Sequence, residues 1–302
     1  SEYIWNSIKD NKTVGIIGED KEKGLTYVAE PIGVICGVTP TTNPTSTTIF
    51  KAMIAIKTGN PIIFAFHPSA QESSKRAAEV VLEAAMKAGA PKDIIQWIEV
   101  PSIEATKQLM NHKGIALVLA TGGSGMVKSA YSTGKPALGV GPGNVPSYIE
   151  KTAHIKRAVN DIIGSKTFDN GMICASEQVV VIDKEIYKDV TNEFKAHQAY
   201  FVKKDELQRL ENAIMNEQKT GIKPDIVGKS AVEIAELAGI PVLENTKLII
   251  AEISGVGSDY PLSREKLSPV LALVKAQSTK QAFQICEDTL HFGGLGHTAV
   301  IH

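Results

Sequence analysis

Short apolar runs alternate with helical patterns along the first half of the chain. Alternation of this kind predicts βαβ units around a parallel sheet. The runs also lack interspersed polar residues, as expected for strands covered by helices on both faces. Strands are predicted at 32–38, 61–66, 94–100, 114–120 and 137–141, and helices at 45–57, 69–88, 102–111 and 125–132. The first 30 residues are polar and mixed, which indicates a helix end and a hairpin-like connection.

The same alternation restarts near residue 146, after a glycine-rich stretch at 139–144. We therefore predict an α/β protein with two domains, one over residues 1–145 and one over residues 146–302. The second domain is expected to have strands at 179–182, 248–251 and 270–274, and helices at 155–168, 184–197, 204–216, 230–238 and 279–290.

Composition narrows the class of protein. The chain has 302 residues, 43% of them apolar, and a net charge of −1, so no basic excess indicates nucleic acid or an acidic membrane. No apolar run approaches the roughly 20 residues that span a bilayer, and no signal peptide is evident. Three distant cysteines, Cys36, Cys174 and Cys286, form no metal-binding spacing. This pattern favours a reduced, cytoplasmic protein without a readable metal site.

Cys174 has the best setting for chemistry among the three cysteines. It follows the turn-prone pair Asn170-Gly171, between a predicted helix and a predicted strand. A thiol at such a junction can be held rigidly and still face a cleft, as a nucleophile requires. A lowered pKa would then make it react quickly with iodoacetamide near neutral pH. The alternative, a buried and inert cysteine, is commoner for a lone residue, and Cys36 and Cys286 fit that description.

Polar or glycine-rich loops follow two of the predicted strands, where α/β proteins place ligands. Thr121-Gly-Gly-Ser-Gly125 leads into a helix and suits a phosphate group, although it is no GxGxxG and an ordinary glycine turn is the alternative. Asn43 follows a threonine run and precedes a proline, so its amide is a candidate oxyanion donor or part of an Asn-Pro turn. His297 is a candidate titrating group, or else a structural histidine.

Together these motifs resemble the aldehyde dehydrogenase superfamily, most closely its CoA-acylating branch. Within that branch the likeness is to the aldehyde dehydrogenase half of bacterial bifunctional aldehyde–alcohol dehydrogenases. The resemblance runs along essentially the whole chain. Its most specific segments are Glu-Pro-Ile-Gly-Val-Ile-Cys-Gly-Val (30–38), Thr-Pro-Thr-Thr-Asn-Pro (39–44), Ala-Thr-Gly-Gly-Ser-Gly-Met-Val-Lys (120–128), Lys-Thr-Phe-Asp-Asn-Gly-Met-Ile-Cys-Ala-Ser-Glu-Gln (166–178), Glu-Lys-Leu-Ser-Pro-Val (265–270) and Gly-Gly-Leu-Gly-His-Thr (293–298).

The resemblance implies a role for each matching residue. Cys174 matches the family nucleophile, Asn43 its oxyanion donor, and His297 a histidine that carries a proton in thiol exchange. It also implies an NAD-binding, Rossmann-like domain over 1–145 and a catalytic domain over 146–302, each lacking a terminal part of the family fold. The expected cofactor is NAD, with coenzyme A as co-substrate. The cofactor-binding residues implied are Pro40, Thr41, His67, Thr121, Gly122, Gly123, Ser124 and Glu265, the last holding the nicotinamide ribose.

Two positions depart from the hydrolytic members of the family. Those members carry Glu-Leu-Gly-Gly, whose glutamate activates water, whereas this chain has Val140-Gly-Pro-Gly143. A thioester on Cys174 would then await a thiol. The other departure is His67-Pro68, where hydrolytic members have Lys-Pro, and it leaves the choice between NAD and NADP open.

The resemblance thus implies reversible oxidation of a short-chain aldehyde, such as acetaldehyde, to acyl-CoA. A homo-oligomer is expected, and a filament if the chain is part of a bifunctional enzyme. Three alternatives stand beside this reading. They are a hydrolytic aldehyde dehydrogenase, a phosphate-releasing relative such as glutamyl phosphate reductase, and a filament-forming scaffold with a vestigial site.

Overall fold

A computed structural model describes residues 2–302 and divides the chain into two compact units between Gly141 and Pro142. This division falls inside the glycine-rich stretch at 139–144. The chain begins with helix α1 (Glu2–Ile8) and an antiparallel hairpin of β1 (Gly15–Asp20) and β2 (Leu25–Ala29). A helix and a hairpin are what the sequence predicts for this region.

The first unit is built on a five-stranded parallel sheet in the order β5-β4-β3-β6-β7. Helices follow its strands along the chain, and buried apolar side chains form two core clusters. The strand order reverses between β3 and β6, which is where such sheets open a crevice for a ligand. The elements are β3 (Val34–Val38), α2 (Pro44–Lys57), β4 (Ile62–Ala65), α3 (Gln71–Lys87), β5 (Ile95–Trp97), α4 (Ile103–Asn111), β6 (Ile115–Thr121), α5 (Ser124–Tyr131) and β7 (Ala137–Val140).

A buried lysine of α2 fastens the two strands at this reversal. The Lys51 ammonium donates to the carbonyl oxygens of Val38, at 2.6 Å, and Leu119, at 2.8 Å. Burial lowers the pKa of Lys51 to about 7, against the smaller opposing effect of Cys36. The two hydrogen bonds satisfy carbonyl groups near the carboxyl ends of β3 and β6 and so help to fix the edge where the crevice opens.

The second unit contains a six-stranded parallel sheet in the order β10-β11-β12-β9-β8-β13. Three apolar clusters pack in this unit, and its central strands are almost wholly buried. The elements are β8 (Val145–Ile149), α6 (Ile155–Thr167), β9 (Glu177–Asp183), α7 (Tyr187–Ala196), β10 (Ala199–Phe201), α8 (Lys204–Ile214), α9 (Ala231–Leu237), β11 (Leu248–Glu252), β12 (Val270–Ala276), α10 (Thr279–Gly293) and β13 (Val300–Ile301).

The predicted α/β class is confirmed, but three strands were absent from the sequence prediction. All five residues of β8 are buried, yet Pro146 and Ser147 break its apolar pattern. Proline cannot donate to a sheet ladder, and the register between β8 and β9 shifts at Val145 and Pro146 to accommodate it. The other two, β10 and β13, have three and two residues and are too short for a periodicity.

The long helix predicted at 69–88 begins instead with a 3₁₀ turn at Pro68–Ala70, followed by α3. Across residues 2–302, no helix combines the length and the apolar character needed to cross a membrane.

Candidate functional site

The loop that carries Cys174 has an unusual backbone. It begins with a 3₁₀ turn at Phe168–Gly171, in which Asp169, Asn170 and Gly171 have φ values of 49°, 50° and 69°. Asn and Asp tolerate this left-handed region better than most side chains do. Glycine is required at 171, because a Cβ there would lie 2.6 Å from the carbonyl oxygen of Ser268. The loop is therefore pressed against the segment that follows Glu265.

Cys174 is half-buried and not disulfide-bonded. Burial and the negative charge of Glu265 raise the pKa of its thiol above the usual value, while the backbone N–H groups of Cys174 and Ala175 act in the opposite sense. The lowered pKa, on which the prediction of fast reaction with iodoacetamide near neutral pH was conditional, is therefore not found. The two backbone N–H groups that favour a thiolate are outweighed by desolvation and by the neighbouring carboxylate of Glu265.

Gly143 brings three of the predicted residues together. Its N–H donates to Oε1 of Glu265 at 3.2 Å. A Cβ on Gly143 would lie 2.8 Å from the carbonyl oxygen of Cys174 and 2.7 Å from Cγ of His297. Cys174, Glu265 and His297 therefore surround one residue that must lack a side chain. Sequence reasoning noted Gly143 only as the end of the segment that replaces Glu-Leu-Gly-Gly.

Glu265 titrates near neutral pH. Burial raises the pKa of its carboxyl to about 7, although the Gly143 N–H and the positive charges of Lys166 and Lys266 all favour the ionised form. The carboxyl group can therefore change its charge in the pH range where the protein would operate.

Two fully buried lysines lie below these loops and meet at Gln178. The Lys166 ammonium donates to Oε1 of Gln178 at 3.0 Å, and the backbone N–H of Lys266 donates to the same oxygen at 3.1 Å. The Lys266 ammonium donates to the backbone carbonyl oxygens of Gln178, Leu262 and Arg264. Burial lowers the pKa of Lys166 to about 7 and that of Lys266 well below its usual value. This network links α6, β9 and the Glu265 segment.

His297 is partly buried beside Gly143, and burial lowers its pKa. Its Nδ1 is buried and has no hydrogen-bond partner within residues 2–302. A neutral imidazole with an unused nitrogen suits proton transfer in a reaction at this loop. No group of three or more His, Cys, Asp or Glu residues in the described part of the chain is arranged to hold a metal ion.

The first unit has a separate cleft at the carboxyl ends of its strands. Its volume is about 340 Å³, and Pro40, His67, Thr121, Gly122 and Gly123 are among its lining residues. The walls also include apolar side chains, namely Val38, Ala65, Phe66, Ile103 and Met126. Thr41 and Ser124, which the resemblance also implies as cofactor-binding, are not among the lining residues.

Thr39 lines the same cleft and was not singled out in the sequence. Its side chain is 2% exposed, and its hydroxyl has no hydrogen-bond partner within residues 2–302. A buried hydroxyl without a partner is costly, so a polar ligand group in the cleft would satisfy it. Apolar walls with this unpaired hydroxyl and a glycine turn fit a nucleotide with a flat ring and phosphates.

Asn43 and Val140 also lie at this edge of the first unit. Asn43 precedes α2 as its N-cap, but its side chain accepts no capping hydrogen bond; its Oδ1 accepts from Thr42 Oγ1 at 3.3 Å. Val140 ends β7 opposite Thr121, and its carbonyl oxygen accepts from Gly122 N–H at 3.1 Å. An apolar side chain, 45% exposed, therefore lies beside the glycine turn.

Comparison with known proteins places these features in context. The chain is 55% identical over 308 residues to the aldehyde-alcohol dehydrogenase of Streptococcus pneumoniae serotype 4, covering 100% of this chain and 35% of that protein. It spans about a third of the length of the curated relatives it matches first.

Solved structures match as well. A crystal structure of an acetylating aldehyde dehydrogenase from Geobacillus thermoglucosidasius superposes with a TM-score of 0.93 at 49% identity, covering 99% of this chain and 66% of that one. The propionaldehyde dehydrogenase of Rhodopseudomonas palustris, with bound CoA and an acylated cysteine, has a TM-score of 0.82 at 33% identity, covering 90% of this chain and 61% of that one.

The sequence profile of the aldehyde dehydrogenase family matches residues 2–296, nearly the whole chain. The resemblance read from the six motifs is thereby confirmed, and the chain belongs to the aldehyde dehydrogenase family.

Proposed function

We propose that this chain supplies the aldehyde-oxidising activity of a CoA-acylating aldehyde dehydrogenase. The reaction is the reversible conversion of a short-chain aldehyde, NAD and CoA to acyl-CoA and NADH, with acetaldehyde as the probe substrate. The observation that carries the acylating assignment is Val140 at the end of β7, where hydrolytic relatives keep a glutamate. The names of two relatives, both of them acetylating enzymes, support it.

The cleft of the first unit is proposed to hold NAD. Thr121, Gly122 and Gly123 would lie against its phosphates, and Pro40 and His67 against its other groups, with Thr41 and Ser124 nearby in sequence. The unpaired hydroxyl of Thr39 adds a polar contact that the sequence did not indicate. When bound, NAD accepts the hydride that the oxidised carbon loses. Glu265 is assigned to the nicotinamide ribose by the family resemblance.

Cys174 is the proposed nucleophile. As a thiolate, its sulfur forms a bond to the aldehyde carbon, the carbonyl π bond breaks, and the carbonyl oxygen takes the negative charge. The Asn43 side-chain amide and the Cys174 backbone N–H are proposed to donate to that oxygen, and one such side-chain donor typically contributes ~3–4 kcal/mol. Loss of the hydride leaves a thioester on Cys174.

The CoA thiol then attacks the thioester carbonyl, and Cys174 leaves as a thiolate. His297 is proposed to take the CoA thiol proton, because its neutral imidazole lies beside Gly143 and near the Cys174 carbonyl. No carboxylate occurs in residues 137–144 to activate water. The thioester therefore persists until a thiol arrives.

Product analysis tests this assignment. The full-length gene product is assayed by NADH absorbance with acetaldehyde, with and without CoA, and the acyl product is identified. Sustained turnover that needs CoA and yields a thioester supports the proposal. Free acid without CoA would establish a hydrolytic enzyme. An acyl phosphate, formed when phosphate attacks the thioester, would establish the glutamyl-phosphate-reductase alternative. No turnover at all would favour the scaffold.

We infer that residues 1–145 form the NAD-binding domain and 146–302 the catalytic domain, and that the protein is a cytoplasmic homo-oligomer. A filament is expected if the chain is part of a bifunctional aldehyde–alcohol dehydrogenase. Light scattering and electron microscopy of the full-length gene product test the oligomer and the filament.

A further inference from the structure

Gly228 joins the two loops that carry Cys174 and Glu265. Its N–H donates to the carbonyl oxygen of Leu267 at 3.1 Å. Its own carbonyl oxygen accepts from the side-chain amide of Asn170 at 2.9 Å. Gly228 lies between α8 and α9, outside all six segments that carry the family resemblance. Gly228, in the connection between α8 and α9, is thus hydrogen-bonded to both the Cys174 loop and the Glu265 segment.

Both contacts fall on strained backbone. Asn170 and Leu267 have φ values of 50° and 44°, in the left-handed region. For a bulky residue such as Leu267 this conformation is a genuine outlier. Strained backbone persists only where the surroundings over-determine it. Gly228 supplies one hydrogen bond to the loop at each of these two positions.

The connection that carries Gly228 is itself firmly anchored. Ile226 is 1% exposed and packs in the core cluster of α8 and α9. The N–H of Lys223 donates to the carbonyl oxygen of Ile214 at 2.8 Å. On the other side, α9 starts with a capping box formed by Ser230 and Glu233. Because the connection is anchored on both sides, its hydrogen bonds can restrain the two loops. A mobile connection would move together with the loops and could not restrain them.

Glycine is needed at this position for its backbone. Gly228 has a φ of +74°, which side chains rarely adopt, and a Cβ would meet Sδ of Met172 at 3.4 Å. Met172 belongs to the Cys174 loop. An added methyl group would contact the same loop that the Asn170 hydrogen bond holds, and its main cost would be the strained backbone at Gly228.

We propose that Gly228 and Asn170 are positioning residues that set the Cys174 loop against the Glu265 segment. This inference rests on the proposed function of Cys174 as nucleophile. Loss of the Asn170–Gly228 hydrogen bond lets the nucleophile loop move relative to Glu265, and small displacements of a reacting group reduce the rate of the chemical step.

Asn170→Gly gives the cleanest test. Glycine keeps the left-handed backbone but removes the donor to Gly228. Gly228→Ala perturbs the other side of the same contact. Gly239→Ala is the matched control, because Gly239 is also left-handed (φ +63°) but follows α9 and its C-cap Ala238, where a Cβ would meet only a flexible Arg209 side chain. The variants are made in the full-length gene product, together with Cys174→Ala.

Three quantities are measured: kcat and KM for acetaldehyde oxidation, the melting temperature, and the rate of Cys174 alkylation resolved by peptide mass spectrometry. In Asn170→Gly we expect kcat to fall about 10-fold to 100-fold, with the KM for NAD unchanged. The alkylation rate of Cys174 should change at least severalfold, while Gly239→Ala loses stability and keeps both kcat and alkylation unchanged.

The proposal is overturned if Asn170→Gly keeps the kcat and alkylation rate of the unmodified protein, or if kcat falls while alkylation is unchanged. Should Gly228→Ala fail to fold, Asn170→Gly still decides. Failure of the proposed function itself is distinct, because Cys174→Ala would then retain activity whatever Asn170 does.

Discussion

The backbone N–H of Gly143 donates to the carboxylate of Glu265 across 122 positions of sequence, at 3.2 Å. Gly143 is the second residue of the second unit, and Glu265 precedes β12. Because a Cβ on Gly143 would also meet the Cys174 carbonyl oxygen and the His297 ring, this hydrogen bond fixes the carboxylate at the nucleophile loop. The site of the second unit is therefore organised around a residue without a side chain.

Gly143→Ala should damage this arrangement. The new methyl group would overlap the Cys174 carbonyl oxygen and the His297 ring, so we expect kcat to fall about 10-fold to 100-fold and stability to fall by about 1–3 kcal/mol from overpacking. Gly164→Ala is the control: this residue lies within α6, a Cβ there meets nothing within 4 Å, and alanine should stabilise the helix by about 0.5–1 kcal/mol. Equal kcat values for the two variants would contradict the expectation.

Cys174→Ala should abolish activity with the fold intact, whereas Cys36→Ala and Cys286→Ala should keep most of it. Cys36 is fully buried in the core of the first unit, and burial raises its pKa to about 12. Burial also raises the pKa of Cys286, to about 11. Peptide mapping after iodoacetamide treatment of the folded protein should find Cys174 modified first. Equal labelling of all three thiols would count against its role.

The pH dependence of Cys174 alkylation should show the effect of the Glu265 charge on the pKa of the thiol. Because the thiol pKa is raised, the alkylation rate should still be climbing above neutral pH. Glu265→Gln removes the opposing negative charge, so its alkylation curve should move to lower pH and exceed that of the unmodified protein above pH 7. Well below the Glu265 pKa of about 7 the native carboxyl is already neutral, so the two curves should converge.

The raised pKa of Glu265 also makes the stability of the fold depend on pH. The folded pKa of Glu265 lies above its ordinary value of 4.5, so its contribution to stability is present below that value and is lost as the pH rises through about 7. The free energy of unfolding, measured in urea, should therefore be higher for Glu265→Gln than for the unmodified protein at high pH. If Glu265→Gln and the unmodified protein have the same Cys174 alkylation curve at all pH values, the charge of Glu265 does not affect the pKa of the thiol.

Asn43→Ala tests the oxyanion role. An oxyanion donor acts mainly in the transition state, so kcat should fall by ~10²–10³ with little change in cofactor affinity. Steady-state kinetics and NAD titration by fluorescence separate the two quantities. A large loss of NAD binding at unchanged kcat would instead make Asn43 a residue that shapes the start of α2.

The periodicity of the chain predicted most of the fold. Nearly every strand of the first unit was predicted because its apolar run is unbroken. Strand β8 of the second unit was not predicted, because Pro146 interrupts its apolar pattern. Cys174 was marked by its place between a turn and a strand. These are local signals, and local signals are what a single sequence carries best.

The missing parts of the site depend on distant contacts. Nothing near Gly143 in sequence indicates that Glu265 will accept its N–H. Lysine is almost never fully buried, so nothing in the sequence indicates that Lys166 and Lys266 lie in the core with Gln178 as their common partner. The raised pKa of Cys174 likewise follows from the approach of Glu265, which no spacing predicts.

Val140 offers the sharpest test of the acylating assignment. It ends β7 opposite Thr121, and its side chain is 45% exposed, so a longer polar side chain has room there. Without CoA, the unmodified protein should release NADH as a burst of at most one equivalent per active site, followed by a slow phase. With CoA, turnover should be sustained.

Val140→Glu should raise the slow phase that follows the burst. The new carboxylate would supply the base that hydrolytic relatives carry, and a general base typically contributes ~10²–10⁴-fold, an upper range here because Pro142 shapes the following turn. Val140→Gln has the same length without the base and should leave the slow phase unchanged. Stopped-flow absorbance and acetate analysis measure both phases. The deciding value is the steady rate of the unmodified protein without CoA. If it equals the rate with CoA and the product is free acid, the acylating assignment is wrong and the base that activates water lies at another position.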